Sequence, residues 1–168
     1  MIVTLGDLVD IRAKHENKKI VLTSGTFDML HVGHLRYLKA VKGDGDILVV
    51  MMSGDARVKG RKGPERPIIS ENDRAQMLDA LKVVDYVFVD PAEFKGDQLD
   101  PVHAEILARL KPEVYATDGE DIRFTTVKQN TTKMAIIRRD EASTTEKDVN
   151  TSTTATIARI VKATQKGH

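Results

Sequence analysis

The sequence predicts an α/β protein, a doubly wound parallel sheet of about five strands with helices on both faces. Three observations predict it. Ile47 to Met52 is an unbroken apolar run, the mark of a strand covered on both sides. Shorter runs of the same kind follow at Ile20–Thr23, Tyr86–Val89, Val114–Ala116 and Met134–Ile137. Between these runs lie segments with apolar residues at helical spacing, and such alternation is the pattern of a parallel sheet.

Taken in order, Leu5, Leu8, Val9 and Ile11 recur with helical period, so residues 4–15 read as a short amphipathic helix. The strand Ile20–Thr23 follows and Gly25 breaks it. From Gly33, Leu35, Leu38 and Val41 line one face of a helix that ends at Gly43. After the strand Ile47–Met52, the stretch Lys59 to Pro67 is basic and rich in Gly and Pro, and reads as a loop. Ser70 with Asp73 forms an N-cap and a variant capping box, and Met77, Leu78 and Leu81 line the helix behind it. Pro101 sits at the favoured first position of a helix through Leu110. Thr117 to Lys133 is a long, polar, Thr-rich loop, and Asp140 to Asn150 is again polar. Ile157, Ile160 and Val161 give the face of a last helix. The expectation is one Rossmann-like domain over residues 1–168. In such sheets ligands bind beyond the carboxyl ends of the strands, at a switch in strand order. Gly25 to His34 leaves the first strand at such an end.

Composition narrows the function. With 168 residues the chain buries a real core, and a net charge of +1 supplies no basic field for nucleic acid. The absence of cysteine excludes disulfides, thiolate metal sites and a cysteine nucleophile. No apolar run approaches the roughly 18 residues of a membrane span, and Met1 to Asp10 lacks the layout of a signal peptide. A cytoplasmic protein acting on small molecules, with no nucleic-acid or membrane partner, is the expectation.

The chemistry centres on Gly25-Thr26-Phe27-Asp28-Met29-Leu30-His31-Val32-Gly33-His34. Gly25 frees the strand end for a phosphate, and the amides near Thr26 and Phe27 can point at it. His31 and His34 lie three apart at a helix entrance, which puts both imidazoles on one side of the first turn. Gly33 between them removes a side chain that would crowd the site. The open amides and partial positive charge of the helix start suit an anion. Asp28 either caps the helix or orients a histidine. A zinc site of the His-Glu-x-x-His type needs other spacing, and no third ligand is evident.

This segment resembles the signature of the cytidylyltransferase-like nucleotidyltransferases. The resemblance implies that His31 and His34 contact a triphosphate and stabilise charge on its α-phosphorus. Ser152-Thr153-Thr154, opening the last helix, resembles the family's second signature and by that likeness holds the β- and γ-phosphates. Arg159 further along forms an ion pair or reaches a phosphate. Lys59, in the basic stretch with Arg61 and Lys62, is the expected catalytic cation. Arg61, Lys62 and Arg74 are candidates for the acceptor phosphate, Arg74 equally for a structural ion pair.

Within the family, Lys59-Gly60, Arg66-Pro67-Ile68, Arg74 and Val84-Asp85-Tyr86-Val87 look most like the adenylyltransferase domain of ADP-heptose synthases. Those relatives carry Lys-Gly-Gly-Asp-Tyr after the fourth strand. Here Thr117-Asp118-Gly119-Glu120-Asp121 stands instead, and Glu120 or Asp121 takes the place of the nucleotide-contacting Asp. The resemblance implies transfer of a nucleotidyl group, AMP from ATP, to a phosphorylated small molecule such as a sugar phosphate. It also implies Mg2+ carried on the triphosphate without a protein metal cage, and a homodimer. A cytidylyltransferase using CTP and a polyol phosphate such as glycerol 3-phosphate, or an FAD synthase, is the alternative.

Overall fold

The computed structural model describes residues 1–93, 101–118, 133–136 and 153–165. The described elements are, in chain order, β1 (Ile2–Val3), α1 (Asp7–Lys14), β2 (Ile20–Gly25), α2 (Val32–Lys42), β3 (Ile47–Ser53) and α3 (Asp55–Lys62). There follow α4 (Glu71–Asp79), β4 (Tyr86–Asp90), α5 (Pro101–Leu110), β5 (Val114–Thr117), β6 (Lys133–Ile136) and α6 (Thr153–Gln165). The strands form one six-stranded sheet in the order β1-β4-β3-β2-β5-β6, and each neighbouring pair is parallel.

Period-two alternation sorts the strand residues onto two cores. On one face Ile20, Leu22, Val49, Met51, Tyr86 and Phe88 meet Leu8 and Ile11 of α1 and Ile106, Leu107 and Leu110 of α5. On the other, Val21, Leu48, Val50, Met52 and Val87 meet Tyr37, Leu38 and Val41 of α2 and Ala75 and Leu78 of α4. β2 and β3 are apolar on both faces because both are covered, as their continuous hydrophobicity requires. Each fully buried aliphatic side chain contributes about 1.5–3 kcal/mol, so these two strands anchor the fold. Arg12 of α1 ties the layers at one edge: it pairs with Glu113 at 2.7 Å, whose other oxygen accepts the Ile20 amide at 2.6 Å.

The topology positions the site. From β2 the chain steps outward to β3 and β4, then returns to place β5 on the other side of β2. Strand order therefore reverses at β2, whose carboxyl end is Gly25.

Two departures from the sequence reading have physical causes. β1 is a sixth strand, too short for periodicity to register, and is defined by pairing Ile2 with Val87 and Val3 with Phe88. The helix expected over 4–15 accordingly begins only at Asp7. The first part of the expected basic loop, Lys59 to Lys62, is instead the end of α3, a helix with Arg57 and Val58 buried that Gly63 ends at φ 97°. Gly60 inside that helix lowers its intrinsic propensity, and tertiary burial of Val58 overrides the deficit. The Ser70 cap is present: its hydroxyl accepts from the Asp73 amide at 3.3 Å and donates to the Asp73 carboxylate at 2.8 Å.

Candidate active site

The site begins where β2 runs out. A Cβ on Gly25 would stand 2.7 Å from the ring of Phe27, so only glycine fits beneath that ring. Phe27 and Met29 then adopt left-handed backbone, with φ of 51° and 54°. Each such non-glycine residue costs about 1–3 kcal/mol and persists only when its surroundings hold it. Phe27 is held by burial and by a tilted contact with the His34 ring, 5.4 Å between centroids. The reversal turns Asp28, between them, inward until it is only 2% exposed.

Asp28 is the joint of the site. Its carboxylate accepts from the Arg66 guanidinium at 2.7 Å and from the amides of Ile68 and Ile69 at 3.1 Å. Burial pushes this carboxyl up, but the Ile68 and Ile69 amides and the Arg66 guanidinium outweigh it, and it is held below the ordinary 3.8. The Asp28 carbonyl accepts the hydroxyl of Thr153, at the start of α6, at 2.6 Å. One residue thus joins the end of β2, the segment before α4 and the N-terminus of the last described helix.

The histidines lie as their spacing requires. His31 occupies the N-cap of α2 in extended conformation, and its ring stacks on that of His34 with centroids 3.8 Å apart. The Nδ1 of His34 accepts from the His31 amide at 3.3 Å. In the neutral ring the proton therefore sits on Nε2. His34 lines a cavity of about 170 Å³, and the His31 ring stacks on it.

Gly25, Thr26, Phe27 and Asp28 line the same cavity from the end of β2. Arg61, Lys62 and Arg66 line it from the basic segment, and Arg61 donates to the Thr26 hydroxyl at 3.1 Å. Thr153 and Thr154 line it from the opening turn of α6, and Asp118 from the end of β5. Cations, an imidazole, hydroxyls and a helix N-terminus facing one small space make an anion site. Its volume is below the roughly 300–1,000 Å³ of a whole-ligand pocket, which fits a phosphate chain better than a nucleoside.

The structure thus gathers most of the residues singled out from sequence and separates others. Gly33 lies in the first turn of α2 between the stacked histidines. Lys59, the expected catalytic cation, is exposed in the last turn of α3, and Arg61 and Lys62 of that turn line the cavity in its place. Arg74, expected among the acceptor-phosphate ligands, is 1% exposed and enclosed behind the site. It donates to the carbonyls of Ile69, Thr26 and Ser53 at 2.9, 2.6 and 2.9 Å and to the Asp55 carboxylate at 2.6 Å. Glu120, Asp121 and Ser152 lie outside the described residues. Arg159 is exposed on α6. Sequence reasoning missed Arg66 and Asp118. The first had a signal in Arg66-Pro67-Ile68, and the second stands beside the acids chosen in its place. Among the described residues no group of three or more His, Asp or Glu is placed to hold a metal, and no helix is long and apolar enough to cross a membrane.

The parallel sheet carries an anion cavity at its switch point, walled by His34 and a Thr-Thr helix start. The cytidylyltransferase-like family model matches residues 22–159, and the chain belongs to that family. It is similar to the bifunctional protein HldE of Helicobacter pylori (strain G27), with 44% identity over 107 residues, 64% of this chain and 21% of that protein. Against the bifunctional protein HldE of Syntrophotalea carbinolica the identity is 39% over 106 residues, 63% of this chain and 21% of the relative. The chain therefore spans about a fifth of the length of these curated relatives. Among solved structures it resembles the lipopolysaccharide core biosynthesis protein from Thermoplasma volcanium GSS1, with TM-score 0.56 and 29% identity over 71% of this chain and 96% of that one. The fold is shared with pantoate-beta-alanine ligase from Francisella tularensis, at TM-score 0.55 and 18% identity over 82% of this chain and 66% of that one.

Proposed function

We propose that the chain transfers AMP from ATP to a phosphorylated small molecule, a sugar phosphate, and releases pyrophosphate. The observation that carries this reading is the convergence of His34, Arg61, Lys62, Arg66 and Thr154 on one phosphate-sized cavity at the end of β2. The likeness to HldE proteins and to a lipopolysaccharide core biosynthesis protein favours a sugar phosphate as acceptor and ATP as donor.

In this reading an oxygen of the acceptor phosphate attacks the α-phosphorus, and the bond to the bridging oxygen breaks as pyrophosphate departs with its electron pair. The acceptor is already ionised, so no protein nucleophile is required. The protein's contribution is alignment and charge stabilisation. His34 offers its Nε2 hydrogen to the oxygens that gain charge, and Arg61, Lys62 and Thr154 hold the phosphates that leave. His31 keeps the His34 ring in place. Mg2+ carried on the triphosphate would supply charge neutralisation at its oxygens. Of the two carboxylates on the cavity wall, Asp28 is engaged by Arg66 and two amides, so Asp118 would be the residue to hold such an ion.

The test is pyrophosphate release with ATP and with CTP, each against sugar phosphates, glycerol 3-phosphate and FMN. Release with ATP and a sugar phosphate is expected. Release confined to CTP with glycerol 3-phosphate, or to ATP with FMN, would replace the acceptor and base named here. No release with any pair would overturn the reading.

A further inference from the structure

Arg66 belongs to neither phosphate signature, yet its guanidinium is half used. Nε donates to the Asp28 carboxylate at 2.7 Å, and Nη2 sits 2.7 Å from the same oxygen as its ion-pair partner. A guanidinium has five N–H groups, so those on Nη1 and the second on Nη2 remain. They have no protein partner among the described residues. The side chain is only 15% exposed and stands on the wall of the anion cavity.

The other side of the pair is saturated. Besides Arg66, the Asp28 carboxylate takes the amides of Ile68 and Ile69. The carboxylate therefore fixes both the backbone that carries Arg66 and the orientation of its guanidinium plane. A rigid fork with one edge clamped and the other turned to a cavity is preorganised for an oxyanion, since no rotamer freedom remains to be lost on binding.

We propose that Arg66 binds a phosphate oxyanion through this second edge, and that Asp28 is the positioning residue that aims it. The inference rests on the nucleotidyltransferase reading above. The oxyanion belongs either to the triphosphate or to the acceptor, and the two sources are separable by experiment.

Calorimetry on the whole chain decides it, with α,β-methylene-ATP and Mg2+ as the first probe and inorganic phosphate added to the analogue-saturated protein as the second. Arg66→Gln is expected to weaken one probe roughly tenfold or more, as loss of charge-assisted bonds does. Weakening of the first probe assigns the triphosphate, and of the second the acceptor phosphate. Asp28→Asn should weaken the same probe, and Asp28→Asn/Arg66→Gln should bind no worse than Arg66→Gln alone, because Asp28 acts through Arg66. Arg66→Lys, which keeps the charge but not the fork, should recover only part of the loss. Wild-type affinity for both probes in Arg66→Gln overturns the proposal, as do losses that multiply in the double variant. Should the unaltered protein bind no α,β-methylene-ATP, the nucleotidyltransferase reading itself fails and this proposal with it.

Discussion

The Thr153 hydroxyl donates to the main-chain carbonyl of Asp28, across 125 residues of sequence. A hydroxyl has one hydrogen, and this one is spent. Thr153 is therefore a latch that seats the start of α6 on the loop after β2, and phosphate oxygens are left to Thr154. Thr153→Ala should weaken binding of α,β-methylene-ATP several-fold, the worth of about 1 kcal/mol, and weaken AMP less. Thr153→Ser keeps the hydroxyl and should retain most of the affinity. Equal losses for the two nucleotides, or a Ser variant no better than Ala, would contradict the latch.

The stacked pair His31 and His34 divides the labour between support and contact. His34→Ala removes the donor on the cavity wall and should lower kcat by roughly two orders of magnitude or more while the melting temperature stays close to that of the unaltered chain. His31→Ala removes the stacking partner and should cost less. Steady-state pyrophosphate release measures both. Unchanged turnover in His34→Ala would remove this residue from the mechanism.

The fold class was legible because β2 and β3 are apolar on both faces and the helices carry clear stripes. β1 was not, since a two-residue strand is defined by its partner β4 and by nothing in its own pattern. α3 was hidden by Gly60 and its cations, whose helix is held by the burial of Val58. At the site, Gly25, Thr26, Phe27 and His34 were readable because turn chemistry and helix spacing are local. Lys59 was singled out from sequence and Arg66 was not, because side-chain aim depends on tertiary contact. Arg66 reaches the cavity only through Asp28, 38 residues earlier, and sequence spacing carries no trace of that pairing.

The Asp28 carboxyl also gives the protein a signature in acid. Its pKa is depressed in the fold, so its bonds contribute stability that is fully present above the ordinary value of 3.8. That contribution is lost as pH falls below 3.8 and through the lowered folded value. Asp28→Asn lacks the titrating group. The difference in melting temperature between the unaltered chain and Asp28→Asn should be largest near neutrality and shrink steadily below pH 3.8. A difference that is constant down to the acid transition would mean that the carboxylate's charge adds nothing.

Arg74 separates a structural role from a substrate-binding one. It ties three points of the fold together: the Thr26 carbonyl after β2, the Ser53 carbonyl closing β3, and Asp55 opening α3 all rest on its guanidinium. Because the side chain is buried, removing it leaves carbonyls and a carboxylate without their donor. Arg74→Met should cost about 3–5 kcal/mol, the range for breaking a buried pair. For a chain of this size that lowers the melting temperature by roughly 6 °C or more. Arg74→Lys keeps the charge but has a single point donor head in place of a fork, and cannot reach the same set of acceptors. It should melt well below the unaltered chain too, with nucleotide affinity reduced because the end of β2 has shifted. A lysine variant that melts normally and changes only the KM for the acceptor would instead make Arg74 a ligand of the acceptor phosphate.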